Sequence, residues 1–407
     1  MAPSSPGGSL EAALSRVDYW AGICPELTIR ADRKLDEDAP PPISSRKIAE
    51  LKKCMLKEGY FQVCSQDFDV RELASKLARG VKALRGHGWP PTFIAIYDEA
   101  WEMVRQLSPL MLAVTGNKCN MDLVAWYVDP SQAEAGFMPH RDRAFGSGSD
   151  IAAQETAQVP ASFNANGLPK YCTCWIALSE AQPDNGCLYV VPAWADPGYR
   201  EGDALSLSGP EAVPADKWGL RRGPTGAPIW SPNCNEGLQA VRAVPCHRGD
   251  AVFLSHRVLH WGSQGREGSP HGPRISFSFA ASTSGFEEPY LPEAALPFPT
   301  IELRLTLAAA QMMSYGGRFP QEEAEKQRYL GLYKKGRHGL GPEFRSRIDA
   351  CAKAIEASEA FSPRESGETS QDERRSKKKG GEKTKEESHS KHGLTETCIK
   401  KKRKKAR

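Results

Sequence analysis

The chain has 407 residues, of which 40% are hydrophobic and 26% charged, so it has enough apolar content for a folded core and is not disordered throughout. No apolar run approaches the roughly 18 residues that span a bilayer, and residues 1–8 lack the pattern of a secretory signal. The net charge of +4 hides an asymmetry, because residues 361–407 carry 16 Lys and Arg against 8 Asp and Glu. A slightly acidic body with a basic tail is therefore expected.

The first third of the chain is predicted to be mainly helical after a loose start. Residues 1–43 are rich in Pro, Ser, Ala and Gly, and we expect a loose segment there. Apolar residues at helical spacing then predict three helices within 44–120, a region expected to pack on the rest of the fold. These helices cover about Ser45–Leu56, about Val70–Leu84 and a segment that begins near Asp98.

Capping residues support the first two helices. Ser44 or Ser45 can cap the start of the first helix, and Gly59 suits its end. Asp67 or Asp69 can cap the start of the second helix.

Short β-prone runs bounded by turn residues dominate 121–285 and predict a β-sandwich or barrel. Two long stretches rich in Gly, Pro and Ala, 144–170 and 197–243, interrupt these runs, and such loops are usually lids or insertions. Trp126 and Tyr127 lie in the first run and are expected mainly in the core. The runs are Val124–Val128, Tyr171–Leu178, Cys187–Val191, Ala251–Leu254 and Arg274–Ala280.

Helical periodicity returns in 286–360, and the rest of the chain, 361–407, is predicted to be a disordered basic tail. The tail ends in a Lys/Arg cluster that is compatible with nuclear import, with phosphate contact or with a simply solvated segment. The predicted helices cover Ile301–Ser314, Gln321–Leu332 and Pro342–Ala357.

The eleven cysteines indicate a reducing compartment, since they are odd in number and form no Cys-x-x-Cys pair. We expect an intracellular protein, cytoplasmic or nuclear. The last residues, Lys405-Ala406-Arg407, differ from the peroxisomal Ser-Lys-Leu signal.

The clearest chemical signal is His140-Arg141-Asp142. On an extended segment, residues two apart face the same side, so His140 and Asp142 can offer a nitrogen and an oxygen to one point. These are two of the three ligands in the two-His-one-carboxylate arrangement that holds Fe(II) and leaves positions open for a cosubstrate and O2. A third ligand must come from elsewhere in the fold, and both His256 and His260 are candidates.

The strand that follows supplies an anion-binding group. Residues 274–279 alternate strictly, with Arg274 and Ser276 on one face and aromatic or aliphatic residues on the other. An arginine on the polar face of a strand is typical of a pocket that holds a carboxylate, because the guanidinium group can bind it through two hydrogen bonds. Ser276 can add a further hydrogen bond.

Taken together, residues 123–282 resemble the phytanoyl-CoA dioxygenase family of Fe(II)/2-oxoglutarate oxygenases. The resemblance covers about two fifths of the chain. It rests on five pieces in one order: His140-Arg141-Asp142; Trp175-Ile176-Ala177-Leu178 followed by Asp184-Asn185-Gly186-Cys187-Leu188; Gly249-Asp250 before an apolar strand; His260 with Gly262-Ser263; and Arg274.

The resemblance implies a mainly β fold, a double-stranded β-helix (a jelly-roll barrel) flanked by N- and C-terminal helices. It implies that His140, Asp142 and His260 hold the iron, with His256 in a structural or supporting role. Arg274 would bind the distal carboxylate of 2-oxoglutarate, with Ser276 beside it and Trp175 either near the cosubstrate or in barrel packing. The cofactors would be Fe(II), 2-oxoglutarate and O2.

The expected function is hydroxylation of a small or lipid-like molecule with release of succinate and CO2. Asp142 favours hydroxylation over halogenation, since related halogenases replace this carboxylate with a small residue. Two other classes stay open: an oxygenase that acts on nucleic acid or protein in the nucleus, and an inactive barrel used only for binding. The long loops surround the barrel mouth, so the resemblance does not carry over a substrate.

Overall fold

A computed structural model describes residues 13–30, 43–134, 136–143, 162–196, 198–201, 218–222, 228–232, 235–316 and 321–361. The predicted basic tail therefore lies outside the described residues, apart from Phe361. The same holds for 144–161 of the first predicted long loop and for much of the second. Up to residue 360, the described residues form one compact unit.

Four helices form most of the N-terminal region: α1 (Val17–Ile23), α2 (Ser45–Glu58), α3 (Arg71–Gly86) and α4 (Asp98–Thr115). The three helices predicted in 44–120 are α2, α3 and α4.

The helix ends are only partly as predicted. The Ser44 side chain accepts a hydrogen bond from the backbone N–H of Lys47 at the start of α2. Gly59 ends that helix in the left-handed region, with φ of 79°, which favours glycine. The predicted aspartate cap of α3 is wrong, because Val70 occupies the N-cap position and makes no side-chain capping bond.

The prediction that residues 1–43 form a loose segment is wrong for 13–30. Residues 17–23 form α1, whose Trp20 is 0% exposed. Trp20 packs against Trp89 and Phe93, with ring centroids 4.9 and 5.9 Å away, and its indole N–H donates to the carbonyl of Leu14. Ten of the 18 residues in 13–30 are apolar. Long-range packing of Trp20 orders the segment.

The β region consists of antiparallel sheets. A five-stranded sheet has the order β1-β8-β3-β10-β2, and a three-stranded sheet has the order β7-β4-β9. These strands are β1 (Tyr60–Val63), β2 (Lys118–Val128), β3 (Tyr171–Ala177), β4 (Leu188–Val191), β7 (Arg242–Val244), β8 (Ala251–Ser255), β9 (Leu259–Gly262) and β10 (Arg274–Ser282). The prediction of antiparallel sheets with flanking helices is therefore confirmed.

The prediction that 197–243 is one long loop is wrong. This stretch contains helices α5 (Gly198–Glu201) and α6 (Asn235–Ala240) and a two-stranded antiparallel sheet of β5 (Trp218–Arg222) and β6 (Pro228–Pro232). The start of β7 also falls within it.

The main core lies between the five-stranded sheet and the helices. Ile275, Phe277 and Phe279 on β10 belong to this core, and all three are fully buried. Removing one such Phe side chain would cost about 3–5 kcal/mol of folding free energy. Three C-terminal helices complete the fold: α7 (Ile301–Ser314), α8 (Glu323–Gly336) and α9 (Pro342–Phe361). None of the helices within the described ranges is long and apolar enough to cross a membrane.

Candidate metal centre

His140, Asp142 and His260 converge on one point, as predicted from the sequence. Their ligand atoms all lie within 4.8 Å of one another. Asp142 Oδ1 is 3.6 Å from His140 Nε2 and 3.5 Å from His260 Nε2. Because metal bonds to nitrogen and oxygen ligands are about 2.0–2.2 Å long, small side-chain rotations bring these three atoms into contact with one ion.

Backbone pairing holds the two histidines side by side. His140 and His260 form an antiparallel bridge in which each backbone N–H donates to the carbonyl of the other, at 2.9 and 3.0 Å. The bridge continues the three-stranded sheet beyond β9, and the two imidazole centroids lie 4.4 Å apart. The backbone N–H of Asp142 donates to the carbonyl of His256 at 3.1 Å, so a further hydrogen bond holds the segment of His140 and Asp142 in place.

In each histidine, Nδ1 contacts the backbone carbonyl of the residue two positions earlier in the sequence. His140 Nδ1 lies 2.8 Å from the carbonyl oxygen of Met138, and His260 Nδ1 lies 3.0 Å from that of Val258. A carbonyl oxygen can only accept, so Nδ1 carries a proton in both rings, and in the neutral form of each ring Nε2 has a lone pair for a metal. Metal-binding histidines are oriented in this way by a second hydrogen bond. The donor set therefore fits a divalent transition metal.

Asp142 offers one oxygen to the cluster and uses the other for support. Thr173 Oγ1, on β3, donates to Asp142 Oδ2 at 2.6 Å. Burial opposes ionisation of Asp142, but His260, His140 and the Thr173 hydroxyl outweigh it and hold the pKa of the carboxyl below its ordinary value. Asp142 is therefore a carboxylate at neutral pH, as a metal ligand must be.

Arg274 lies in the wall of the same cavity and is a buried cation without an acidic partner. It is 4% exposed, and no carboxylate among the described residues lies within 4.0 Å of its guanidinium nitrogens. Its Nη1 donates to Ser276 Oγ at 3.1 Å, whereas its buried Nε has no hydrogen-bond partner. Burial lowers the pKa of Arg274 to about 10. A buried arginine with an unused N–H donor and no acidic partner is suited to bind an anion through two oxygens.

The two other predicted cosubstrate residues occupy different positions. Trp175 lines the cavity, with its ring centroid 5.8 Å from the guanidinium carbon of Arg274, and it also belongs to a packed cluster formed by residues of both sheets. Ser276 is fully buried behind Arg274 and is not part of the cavity wall. The structure thus gives Ser276 a supporting contact with Arg274.

His256 lies outside the cluster. Its Nδ1 is 2.9 Å from the carbonyl oxygen of Tyr171, its ring lies among aromatic side chains, and burial lowers its pKa to about 3. The geometry therefore favours His260 as the third ligand and gives His256 a structural position, as the resemblance implied.

One cavity of about 720 Å³ contains the cluster, Arg274 and Trp175. Sequence reasoning missed Thr173 in its wall, because a single Thr in a β-prone run carries no signal of its contact with Asp142. Trp126 and Tyr127 are half-buried and line the cavity, and Tyr127 also packs against the main core. Their position at the end of β2, which pairs with the Arg274 end of β10, was the available signal.

Comparison with protein-family models finds one match. Residues 97–269 match the model of the phytanoyl-CoA dioxygenase (PhyH) family, the family that the sequence resembles. This match and the His-Asp-His cluster agree with the predicted cofactors, Fe(II) and 2-oxoglutarate with O2. The chain has no match among the curated proteins.

Several solved structures are similar to this chain at low identity. The non-heme alpha ketoglutarate dependent epimerase SnoN from nogalamycin biosynthesis is 18% identical over 59% of this chain and 82% of that chain, with a TM-score of 0.36. HygX from Streptomyces hygroscopicus, with nickel and 2-oxoglutarate bound, is 12% identical over 61% and 90%, with a TM-score of 0.37. EctD from S. alaskensis, with 2-oxoglutarate and 5-hydroxyectoine, is 14% identical over 67% and 86%, with a TM-score of 0.34.

Proposed function

We propose that this protein is an Fe(II)- and 2-oxoglutarate-dependent oxygenase that hydroxylates a small organic molecule, with His140, Asp142 and His260 as the iron ligands. One observation carries the proposal: the three ligands share a cavity with a buried arginine that has no carboxylate partner among the described residues. A metal cluster alone would suit many functions. Its combination with an arginine that requires a diacid is specific to this reaction class.

The strand order supports a double-stranded β-helix as the fold of the catalytic core. In the larger sheet β2, β10, β3 and β8 are neighbours, and in the smaller sheet β9 lies between β4 and the His140 bridge. When the His140 segment is counted between β2 and β3, successive segments from β2 to β10 alternate between the two sheets, apart from β5, β6 and the step from β4 to β7, and this alternation is that of a jelly roll.

The residues of the chain have separate tasks in the proposed reaction. Iron held by His140, Asp142 and His260, together with 2-oxoglutarate, would supply the oxidising power: O2 and 2-oxoglutarate would give succinate and CO2, and the second oxygen atom would enter a C–H bond of the substrate. Arg274 binds the distal carboxylate of 2-oxoglutarate, and Ser276 holds Arg274 in place. Trp175 covers one side of the cosubstrate. The retained carboxylate of Asp142 favours hydroxylation.

The cavity wall favours an apolar or weakly charged substrate. Two of its charged pairs are closed: Arg85 lies 2.5 Å from Glu134, and Arg143 lies 3.1 Å from Asp122. Glu325 also lines the wall and accepts a hydrogen bond from the backbone N–H of Glu322. Half-buried aromatic rings flank the metal cluster, namely Trp126, Tyr127 and Phe137. A nucleic-acid substrate would need several unpaired cations to bind its phosphates, and the described part of this wall has only Arg274.

The decisive experiment is turnover in the presence of a metabolite extract. The full-length protein is purified without oxygen and loaded with Fe(II), and succinate is measured after 2-oxoglutarate, air and the extract are added. We expect succinate from the wild type and at least a 100-fold loss in His140→Ala, whereas His338→Ala, at an exposed histidine of a C-terminal 3-10 helix, is the matched control. If the wild type consumes no 2-oxoglutarate, the protein is a binding barrel and the proposal is wrong.

The proposed location is the cytoplasm or the nucleus, and the basic residues 400–407 are the candidate nuclear signal. The test is microscopy of the fluorescently tagged full-length chain beside a variant that lacks these residues. Exclusion of both from the cytoplasm and the nucleus would contradict this proposal.

A further inference from the structure

Arg141 lies between two of the proposed ligands and faces away from them. Because the segment is extended, its side chain leaves the opposite side of the backbone from His140 and Asp142. There it forms an ion pair with Asp196, and the two side chains are only 3% and 2% exposed. The contact is two-pronged: Nη1 to Oδ2 is 2.6 Å, and Nη2 to Oδ1 is 3.1 Å.

The same guanidinium group connects three segments that meet at the metal cluster. Asp196 follows the 3-10 helix Ala193–Ala195, which comes directly after β4. Strand β4 pairs with β9 so that Val190 lies opposite His260. Arg141 Nη1 also donates to the carbonyl of Arg257, three residues before His260. One side chain therefore contacts the segment of His140 and Asp142, the end of β4 and the approach to His260.

We propose that the Arg141–Asp196 ion pair is a positioning device that sets the spacing of the metal ligands. Neither residue belongs to the ligand cluster. Asp142 and His260 lie on different chain segments, and the charged hydrogen bonds of Arg141 fix these segments relative to each other before metal binds. Without the pair, these segments would become ordered only when metal binds, and the lost conformational entropy would weaken metal binding. This inference rests on the proposed function, since it takes the cluster as a metal site.

A second buried ion pair provides a matched control. Arg304 and Asp98 lie 2.7 Å apart, at 1% and 0% exposure, on α7 and at the start of α4. Neither residue lines the cavity that contains the cluster. Asp98→Asn and Asp196→Asn therefore make the same chemical change in two buried pairs, only one of which contacts the ligand segments.

The test is titration of the metal-free full-length protein with Co(II), followed by its visible spectrum, together with the thermal midpoint of each variant. We expect Asp196→Asn to weaken Co(II) binding about 10- to 100-fold, the usual effect of losing a partner that orients metal ligands, and to change the spectrum. Asp98→Asn should lower the midpoint but leave the affinity and spectrum unchanged.

A double variant distinguishes an effect on the position of the metal ligands from an effect on the stability of the protein. Arg141→Met with Asp196→Leu removes both buried charges, so it should recover stability relative to Asp196→Asn while Co(II) affinity stays low. The inference is overturned if Asp196→Asn binds Co(II) like the wild type, or if Asp98→Asn weakens binding equally. A wild-type protein that binds no Co(II) would instead refute the metal site itself.

Discussion

Arg274→Met tests whether the buried arginine is reserved for a diacid. In the protein without cosubstrate, the side chain is buried with a serine hydroxyl and the face of a tryptophan as neighbours, and burial lowers its pKa to about 10. Because folding lowers the pKa of Arg274, the charged guanidinium group destabilises the folded state at neutral pH. Replacing the charge with an apolar side chain of similar length should therefore leave the thermal midpoint unchanged or raise it.

Binding of 2-oxoglutarate should change in the opposite direction. Losing one partner of a buried charged hydrogen-bonded pair costs about 2–5 kcal/mol, which corresponds to at least about a 30-fold rise in Kd for 2-oxoglutarate. At a concentration of 100 times the wild-type Kd, the cosubstrate stabilises the wild type by about 2.7 kcal/mol, and most of this stabilisation should vanish in Arg274→Met.

The assay is thermal unfolding of the metal-loaded protein with and without 2-oxoglutarate, and Arg304→Met is the control. Arg304 is also a buried arginine, but Asp98 neutralises it, so its loss should destabilise the protein by about 3–5 kcal/mol in both conditions. The reasoning is refuted if Arg274→Met destabilises the protein as much as Arg304→Met and keeps the full shift with 2-oxoglutarate.

Three further changes test other parts of the structure. Thr173→Val removes the hydroxyl that holds Asp142 Oδ2, and we expect roughly a tenfold loss of Co(II) affinity with little loss of stability; an unchanged affinity would show that this hydrogen bond does not orient the ligand. Trp20→Ala should cost about 3–5 kcal/mol in denaturant unfolding, because α1 packs its fully buried ring on the helical region, and a cost below about 1 kcal/mol would contradict this packing. Deleting residues 362–407 should leave 2-oxoglutarate turnover within twofold on a small-molecule substrate, whereas strong impairment would favour a macromolecular substrate bound through the basic tail.

The local features of the site could be predicted from the sequence because they follow short-range rules. The spacing of His140 and Asp142 fixes their common side on an extended segment, and the alternation along 274–279 separates Arg274 from the core residues Ile275 and Phe277. The helix at 301–314 has the predicted bounds, since its apolar residues keep a regular helical spacing.

The features that were missed depend on contacts between distant parts of the chain. Arg141 and Asp196 are 55 residues apart, and Thr173 reaches Asp142 only because β3 lies beside the ligand segment. Helix α1 is only seven residues long, and Trp20 packs against Trp89 and Phe93, which are about 70 residues away in the sequence. Residue types alone do not show which residues of two distant segments lie beside each other.

Optical titration of the metal-free protein with Fe(II) and 2-oxoglutarate, without oxygen, tests the central claim most directly, because a 2-oxo acid that chelates Fe(II) gives a visible absorption band. We expect this band in the wild type at one Fe(II) per chain, and in His256→Asn, whose side-chain amide can still donate to the carbonyl of Tyr171. The band should be absent in His260→Ala. A band that persists in His260→Ala, or that is lost only in His256→Asn while this variant stays folded, would contradict the assigned ligand set.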